Sequence, residues 1–109
     1  MSMELPLPLA RYYAAKNAED IDAMLAEFAA DAVVRDEGRT HAGTAAIRSW
    51  MEETTRKYHV RVEPNSVETD EDGWRVAALV SGNFPGSPAT LRYRFTLADG
   101  RIARLEIGA

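Results

Sequence analysis

The spacing of apolar residues changes along this chain, and the change limits the folds it can adopt. Up to about residue 58, most apolar side chains recur every three or four residues, as on one face of an α-helix. From about residue 60 onward, apolar and polar residues alternate, as in half-buried β-strands. Helices come first and strands follow, which predicts an α+β architecture with helices covering one face of an antiparallel sheet.

Two short helices are predicted near the beginning. Pro8 suits a first helical turn and opens a helix whose inner face carries Leu9, Tyr12, Tyr13 and Lys16. Asp20 is the predicted N-cap of a second helix. Its inner face follows the i, i+3, i+4, i+7 spacing with Ile21, Met24, Leu25 and Phe28. Both helices are therefore expected to pack on the sheet through one apolar face.

A short strand and a longer helix come next. Ala32–Asp36 is predicted to be a strand in which Val34 and Asp36 point to the same face. A turn segment, Arg39-Thr40-His41, is predicted between the two glycines beyond it. Thr44 is the predicted N-cap of the third helix. The inner stripe of that helix consists of Ile47, Trp50, Met51, Thr54 and Tyr58.

Four longer strands are predicted in the second half of the chain. They cover Val60–Thr69, Trp74–Phe84, Thr90–Leu97 and Ile102–Ile107. Turn residues separate them at Asp72-Gly73, Pro85-Gly86-Ser87-Pro88 and Asp99-Gly100. Connections this short join neighbouring antiparallel strands, so the four are expected to form a meander.

Composition narrows the functional classes. The 109 residues, 46% hydrophobic and 28% charged, predict a single domain over residues 1–109. The sequence contains no Cys, which excludes disulfides and thiolate chemistry, and its net charge of −4 gives no broad cationic field for nucleic acid or anionic membranes. Residues 1–8 lack the features of a signal peptide, and no apolar run is long enough to span a bilayer. A cytoplasmic location is expected.

Asp36 and Tyr12 are the main candidates for chemistry. A curved sheet closed by helices tends to enclose an apolar cavity, and both side chains are expected to face it. Burial raises the pKa of a carboxyl group, which suits Asp36 to act as a general base near neutral pH, while the Tyr12 phenol can donate to a developing oxyanion. This pair fits proton abstraction alpha to a carbonyl. The alternative is structural: Asp36 begins a turn and pairs with Arg39, and Tyr12 is a core aromatic.

His41 lies close to Asp36 in the sequence and is a candidate base or orienting group. The residues show neither His-x-His nor His-Glu-x-x-His spacing, and phosphate-binding glycine motifs are absent as well, so no metal or cofactor is expected.

The walls of the cavity can also be predicted. We expect them to include Phe28, Val34, Trp50, Tyr58, Phe84, Tyr93 and Phe95. Phe84 belongs to a predicted rim loop between two strands. Alternation places Arg92 and Arg94 opposite Tyr93 and Phe95, on the outer face of the sheet. If the register were reversed, these arginines would enter the cavity and bind an anionic group.

Several segments together resemble one known superfamily. They are Arg11-Tyr12-Tyr13-Ala14-Ala15, the segments 17–22, 28–36 and 41–48, and the closing segments 95–102 and 104–107. The combination is similar to the nuclear transport factor 2-like superfamily, with the SnoaL-like domains and bacterial ketosteroid isomerases as the nearest branches. The resemblance covers essentially the whole chain. It implies a cystatin-like cone, a barrel of strongly curved, mainly antiparallel sheet wrapped around three N-terminal helices, which often dimerises through the outer face of the sheet.

The resemblance also implies roles for individual residues. Tyr12 falls at the isomerases' oxyanion-hole tyrosine and Asp36 at their catalytic base, with His41 as an auxiliary group. Their second oxyanion donor, a protonated carboxylic acid, has no counterpart, because Leu91 or Arg92 stands in its place.

The resulting expectation is a cofactor-independent, steroid isomerase-like or polyketide cyclase-like enzyme that acts on a small, mostly apolar carbonyl compound and forms a homodimer. One alternative is a ligand-binding or accessory dimeric domain without catalysis. Another is a partner-binding adaptor, which would need a large exposed apolar patch on the sheet.

Overall fold

Three helices and six strands are formed by the residues that the computed structural model describes, 4–71 and 73–108. The helices are α1 (Leu7–Asn17), α2 (Ile21–Ala26) and α3 (Thr44–Tyr58). The strands are β1 (Phe28–Asp36), β2 (Arg39–Ala42), β3 (Arg61–Asp70), β4 (Gly73–Ser81), β5 (Ala89–Ala98) and β6 (Arg101–Gly108). Asp72 of the predicted turn Asp72-Gly73, and the first three residues of the segment 1–8 that was predicted to lack signal-peptide features, lie outside the described residues.

The six strands form one sheet in the order β2-β1-β6-β5-β4-β3. β3, β4, β5 and β6 pair antiparallel in sequence order, so the predicted meander is confirmed. β1 pairs parallel with β6, which makes the sheet mixed, and β2 is the strand at the free edge beside β1. The predicted α+β fold is confirmed, although the sheet stays open, because its terminal strands β2 and β3 do not pair with each other.

Three irregularities bend the sheet. The register shifts in β1 between Phe28 and Val33, in β3 between Pro64 and Ser66, and in β5 between Thr96 and Leu97. Extra residues of this kind bend a strand and increase its local twist. The sheet can therefore curve around the helices on its inner side.

The first two helices follow the predicted pattern with one correction. Asp20 caps α2 as predicted, since its carboxylate accepts a hydrogen bond of 3.1 Å from the backbone N–H of Ala23. The prediction that Phe28 belongs to the inner face of α2 is wrong, because the helix ends at Ala26 and Phe28 opens β1. Pairing with β6 explains the difference: the Ile102 N–H donates to the Glu27 carbonyl at 2.8 Å, so the chain joins the sheet immediately after the helix.

The segment predicted as a turn at Arg39-Thr40-His41 is instead part of strand β2. Only Glu37 and Gly38 lie between the paired residues Asp36 and Arg39, and both have positive φ, as a type I′ hairpin requires. The N-cap of α3 also differs, since Gly43 occupies that position and Thr44 is the first helical residue.

The core lies between the inner face of the sheet and the helices. Its largest fully buried side chains include Tyr12, Phe95, Leu9, Met24, Ile47 and Met51. The predicted inner stripe of α3 is confirmed for Ile47, Trp50 and Met51, which are buried. Leu7 is the one large hydrophobic residue that is exposed in the described part of the chain. No helix among the described residues is long and apolar enough to cross a membrane.

Candidate functional site

A cavity of about 650 Å³ lies between the sheet and the helices α1 and α3. Its apolar wall includes Trp50, Val60, Val80, Phe84, Leu91 and Ile107. Its polar groups include Lys16, Asp36, Glu37, Thr54, Tyr58 and Tyr93. The inner part of this wall is buried, whereas Glu37, Gly38 and Pro85 are exposed, so the cavity opens to solvent beside the β1–β2 hairpin. The volume suits a small organic molecule.

Asp36 is the last residue of β1 and faces the cavity. It shares a face with the buried Val34, as the alternation of the strand predicts. Its Oδ2 accepts a hydrogen bond of 3.1 Å from the Trp50 indole Nε1–H on α3. Burial raises the pKa of the Asp36 carboxyl above its ordinary value, although the Trp50 N–H, the Lys16 charge and the Glu37 backbone N–H lower it. Asp36 is thus a carboxyl group with a raised pKa and one oriented oxygen, in the wall of a largely apolar cavity.

Lys16 was not among the predicted site residues, although the helical spacing places it on the inner face of α1. Only 8% of its surface is exposed, and it lines the cavity. Burial lowers the pKa of its ammonium group, while the negative charges of Asp36 and Glu19 raise it. The signal that could have identified Lys16 was the periodicity itself, since a lysine in line with Leu9 and Tyr12 is placed toward the core.

The position of Lys16 is set by the end of α1. Asn17, the last residue of that helix, donates through Nδ2 to the Val62 carbonyl at 2.9 Å and accepts through Oδ1 from the Val62 N–H at 2.7 Å. These two bonds join the helix to β3 across 45 residues of sequence. They hold the neighbouring Lys16 at the cavity.

Tyr12 lies deeper than the cavity wall. Its ring is fully buried and packs edge-on against Tyr13, Phe28 and Phe95, with centroid distances of 5.4 to 5.9 Å. Its hydroxyl is buried and has no hydrogen-bond partner among the described residues; the same is true of Tyr13. Burial raises the pKa of Tyr12 well above its ordinary value, and the charges of Tyr93 and Asp36 add to the effect. Tyr12 is therefore a protonated phenol near neutral pH.

His41 lies on β2, where it pairs with Val34. Its imidazole stacks on the Trp50 ring with a centroid distance of 5.9 Å and an interplanar angle of 29°. It does not line the cavity. Trp50 therefore links His41 to Asp36, because its ring stacks on the His41 imidazole and its N–H donates to the Asp36 carboxylate.

The mouth of the cavity is formed by two hairpin segments and the end of α3. The Tyr58 hydroxyl donates to Glu37 Oε1 at 3.2 Å, and the Tyr58 ring meets Phe84 edge-on at 6.2 Å. Phe84 lies in the loop after β4, which ends at Ser81 rather than at Phe84 as predicted. The Ser87 hydroxyl accepts from the Gly82 N–H at 2.9 Å and closes that loop.

The structure separates the predicted cavity residues into two groups. Trp50, Tyr58, Phe84 and Tyr93 lie in the wall. Phe28, Val34 and Phe95 are buried in the packed core and lie outside the wall. Three of the predicted residues thus belong to the packed core rather than to the cavity wall.

Arg92 and Arg94 lie on the outer face of the sheet, on the opposite side from Tyr93. They border a shallow cleft of about 480 Å³ with Glu68 and Arg75. The alternative with a reversed register is therefore wrong, and neither arginine can meet a ligand inside the cavity. Within the described residues, no group of three or more His, Asp or Glu side chains is arranged to hold a metal ion.

The sequence of residues 9–105 matches the family model of the SnoaL-like domain. The chain belongs to the SnoaL-like domain family. This assignment confirms the resemblance drawn from the segments around Tyr12, Asp36 and His41.

Solved structures agree with this family assignment. A proposed polyketide cyclase from Sinorhizobium meliloti is 48% identical, with a TM-score of 0.91 and coverage of 94% of both chains. A second proposed polyketide cyclase, from Xanthomonas campestris, is 25% identical, with a TM-score of 0.77 over 92% of this chain and 85% of that one. A protein with a ketosteroid isomerase-like fold from Catenulispora acidiphila, in complex with trimethylamine, is 20% identical, with a TM-score of 0.84 over 97% and 87% of the two chains.

Among proteins of curated function, none matches this SnoaL-like domain significantly. The likeness to the Catenulispora protein, at its low identity, supports the fold alone.

Proposed function

We propose that this SnoaL-like domain binds a mostly apolar carbonyl compound in its cavity and transfers a proton at the carbon alpha to the carbonyl, as an isomerase or cyclase. The observation that carries the proposal is Asp36, a carboxyl group with a raised pKa in the wall of a largely apolar cavity of about 650 Å³. A base in such a setting takes a proton from carbon and returns it near neutral pH.

The three residues predicted to be catalytic then have the following roles. Asp36 removes the α-proton while the Trp50 indole N–H holds its Oδ2 in place. We propose that the carbonyl end of the substrate reaches past the cavity wall to Tyr12, whose fully buried and otherwise unpartnered hydroxyl donates to the enolate oxygen where water is excluded. His41 orients Trp50 from its other side by stacking and so acts as a positioning residue.

The related structures support cyclase chemistry as one form of this reaction. The Sinorhizobium protein, 48% identical, is a proposed polyketide cyclase, and polyketides are rich in carbonyl groups. Ring closure by carbon–carbon bond formation begins with the same α-proton removal as an isomerisation. We therefore propose that the substrates include largely apolar compounds with several carbonyl groups.

A ligand-binding or accessory domain without catalysis is the competing function. It is supported by the Trp50 N–H, which donates to Asp36, and by the influence of the Glu37 backbone N–H, since both lower the pKa of the carboxyl group. In that case Asp36 would close the hairpin and bind no substrate proton.

We propose that the chain forms a homodimer through the outer face of the sheet, where Arg94, Arg104 and Glu106 lie. The sedimentation coefficient of the purified chain would show whether it is a dimer.

Titration of Asp36 distinguishes the two functions. We expect the pKa of Asp36 to lie above its ordinary value of about 3.9, because burial is the largest influence on it. The folded chain then holds a proton that the unfolded chain has lost, so stability falls as pH rises through this window and the loss persists above it. Activity should rise over the same window, because the carboxylate is the base. The measurement is the ¹³Cγ chemical shift of Asp36 against pH; a value at or below the ordinary one would contradict the catalytic role.

Tyr12→Phe tests the oxyanion donor. Removing a buried hydroxyl that has no partner should leave the free energy of unfolding unchanged or raise it by about 1 kcal/mol. Loss of one oxyanion donor should lower the rate of α-proton exchange by about a hundredfold. Tyr13→Phe is the matched control, since its hydroxyl is equally buried and unpartnered. Equal exchange rates in the two variants would show that Tyr12 has no role as a donor.

A further inference from the structure

Lys16 is a buried amine that proton transfer by Asp36 and Tyr12 does not use. It is 8% exposed, it lines the cavity, and its side chain forms no hydrogen bond and no ion pair within 4.0 Å with any described residue. A lysine is rarely buried without a partner, because desolvation of an ammonium group is costly. The unpartnered amine in the wall of a cavity suited to an organic ligand requires a separate explanation.

The surroundings of Lys16 suit a neutral amine. The wall of the cavity that it lines is largely apolar, with Leu91, Val80 and Ile107 among its residues. The charged groups that act on it are Asp36, in the same wall, and Glu19, beyond the end of α1. The anchor between Asn17 and Val62 keeps the end of the helix from moving outward, so Lys16 stays at the cavity.

We propose that the Lys16 Nζ forms an imine with the carbonyl carbon of an aldehyde or ketone bound in the cavity. The inference rests on the proposed function only for the class of ligand, and it adds a covalent intermediate to it. Lysines activated in this way are desolvated in hydrophobic pockets, as Lys16 is.

The step balances without an oxidant or reductant. The Nζ lone pair forms a bond to the carbonyl carbon, and the C=O π pair moves to oxygen, which takes up a proton as nitrogen loses one. The hydroxyl group then leaves as water with a proton from Asp36, and the nitrogen lone pair forms the C=N bond. The resulting iminium nitrogen is positively charged, and Asp36 is left as a carboxylate in the same cavity.

The iminium also changes how the α-proton can be removed. It withdraws electrons from the α-carbon more strongly than a carbonyl does, so Asp36 can abstract the proton to form an enamine. The resemblance places Leu91 or Arg92 where the isomerases carry a second oxyanion donor, and of these two residues only Leu91 lines the cavity. An imine to Lys16 would supply the electrophilic assistance that this missing donor does not.

Reductive trapping tests the proposal on the unmodified chain. The sequence contains two lysines, Lys16 and Lys57, and Lys57 is an exposed residue at the end of α3 whose pKa is raised through its interaction with Tyr58. The chain is incubated with benzaldehyde and sodium cyanoborohydride at pH 7, and the benzylated lysines are located by peptide mass mapping. Because burial lowers the pKa of the Lys16 amine, more of it is neutral at pH 7, so Lys16 should be modified several times faster than Lys57.

Two variants complete the experiment. In Lys16→Arg, which keeps a cation but cannot form an imine, modification inside the cavity should be lost; in Lys57→Arg it should persist at Lys16. Modification of Lys57 at the same rate as Lys16, or of Lys57 alone, would overturn the proposal. If α-protons exchange but Lys16 is not trapped, the imine is rejected and the proposed function stands. If Lys16 is trapped but α-protons do not exchange, the imine stands and the proposed function is rejected.

Discussion

Asp36→Asn should lower the rate of α-proton exchange by about 10²- to 10⁴-fold. The amide cannot accept the proton, but its oxygen can still accept the Trp50 Nε1–H, so the geometry of the site is kept. The measurement is deuterium incorporation into a cyclic ketone such as 2-tetralone, followed by proton NMR with the wild-type chain as reference. At neutral pH the variant should be at least as stable as the wild type, because it removes a buried carboxylate with a raised pKa.

Asp31→Asn provides the matched control. Asp31 lies on the same strand, is exposed and does not line the cavity, so its exchange rate should stay within about twofold of wild type. A wild-type exchange rate in Asp36→Asn would remove Asp36 from the mechanism. An equal loss in both variants would show that the effect comes from charge alone.

Phe95→Ala should reduce the free energy of unfolding by about 3 to 5 kcal/mol. Phe95 is fully buried on β5, stacks on Tyr93 at 6.1 Å and meets Tyr12 and Tyr13 edge-on at 5.9 Å. The loss combines the transfer energy of the ring with the cavity that it leaves behind. Since a domain of this size is stable by about 5 to 15 kcal/mol, the variant should lose a large part of its stability. Equilibrium unfolding in urea measures the change.

Phe84→Ala is the control for this substitution. Phe84 carries the same ring, but it is half-buried in the loop at the mouth of the cavity, so its removal should reduce the free energy of unfolding by about 1 kcal/mol. Similar losses at the two positions would show that the aromatic cluster around Phe95 has no special part in the core.

The side chains on single elements could be predicted well from the sequence. The 3.6-residue period identified the buried face of α1, with Leu9, Tyr12 and Tyr13, and the period of two placed Asp36 on the same face as Val34. Both are local properties, because a helix or a strand turns each side chain by a constant angle along the chain. The location of Arg92 and Arg94 on the outer face follows from the same rule.

The elements that depend on distant partners were harder to predict. β1 begins at Phe28 because β6, more than 70 residues later, pairs with it in parallel. β2 forms because Glu37 and Gly38 both adopt positive φ, which allows a two-residue hairpin. Neither pairing leaves a strong local pattern. The helical spacing of Phe28 therefore predicted that it belongs to α2, and the glycines around His41 predicted a turn.

The sequence by itself determined the α+β fold class, the antiparallel meander of β3 to β6, the inward position of Asp36 and the likeness to the SnoaL-like family. Only the tertiary structure decided which inner-facing residues reach the cavity. Tyr12 and Phe95 are held behind its wall, whereas Lys16, four residues after Tyr12 on the same helix face, lines it. The physical reason is that periodicity defines the direction of a side chain, whereas the depth at which it ends depends on packing between α1, α3 and the curved sheet.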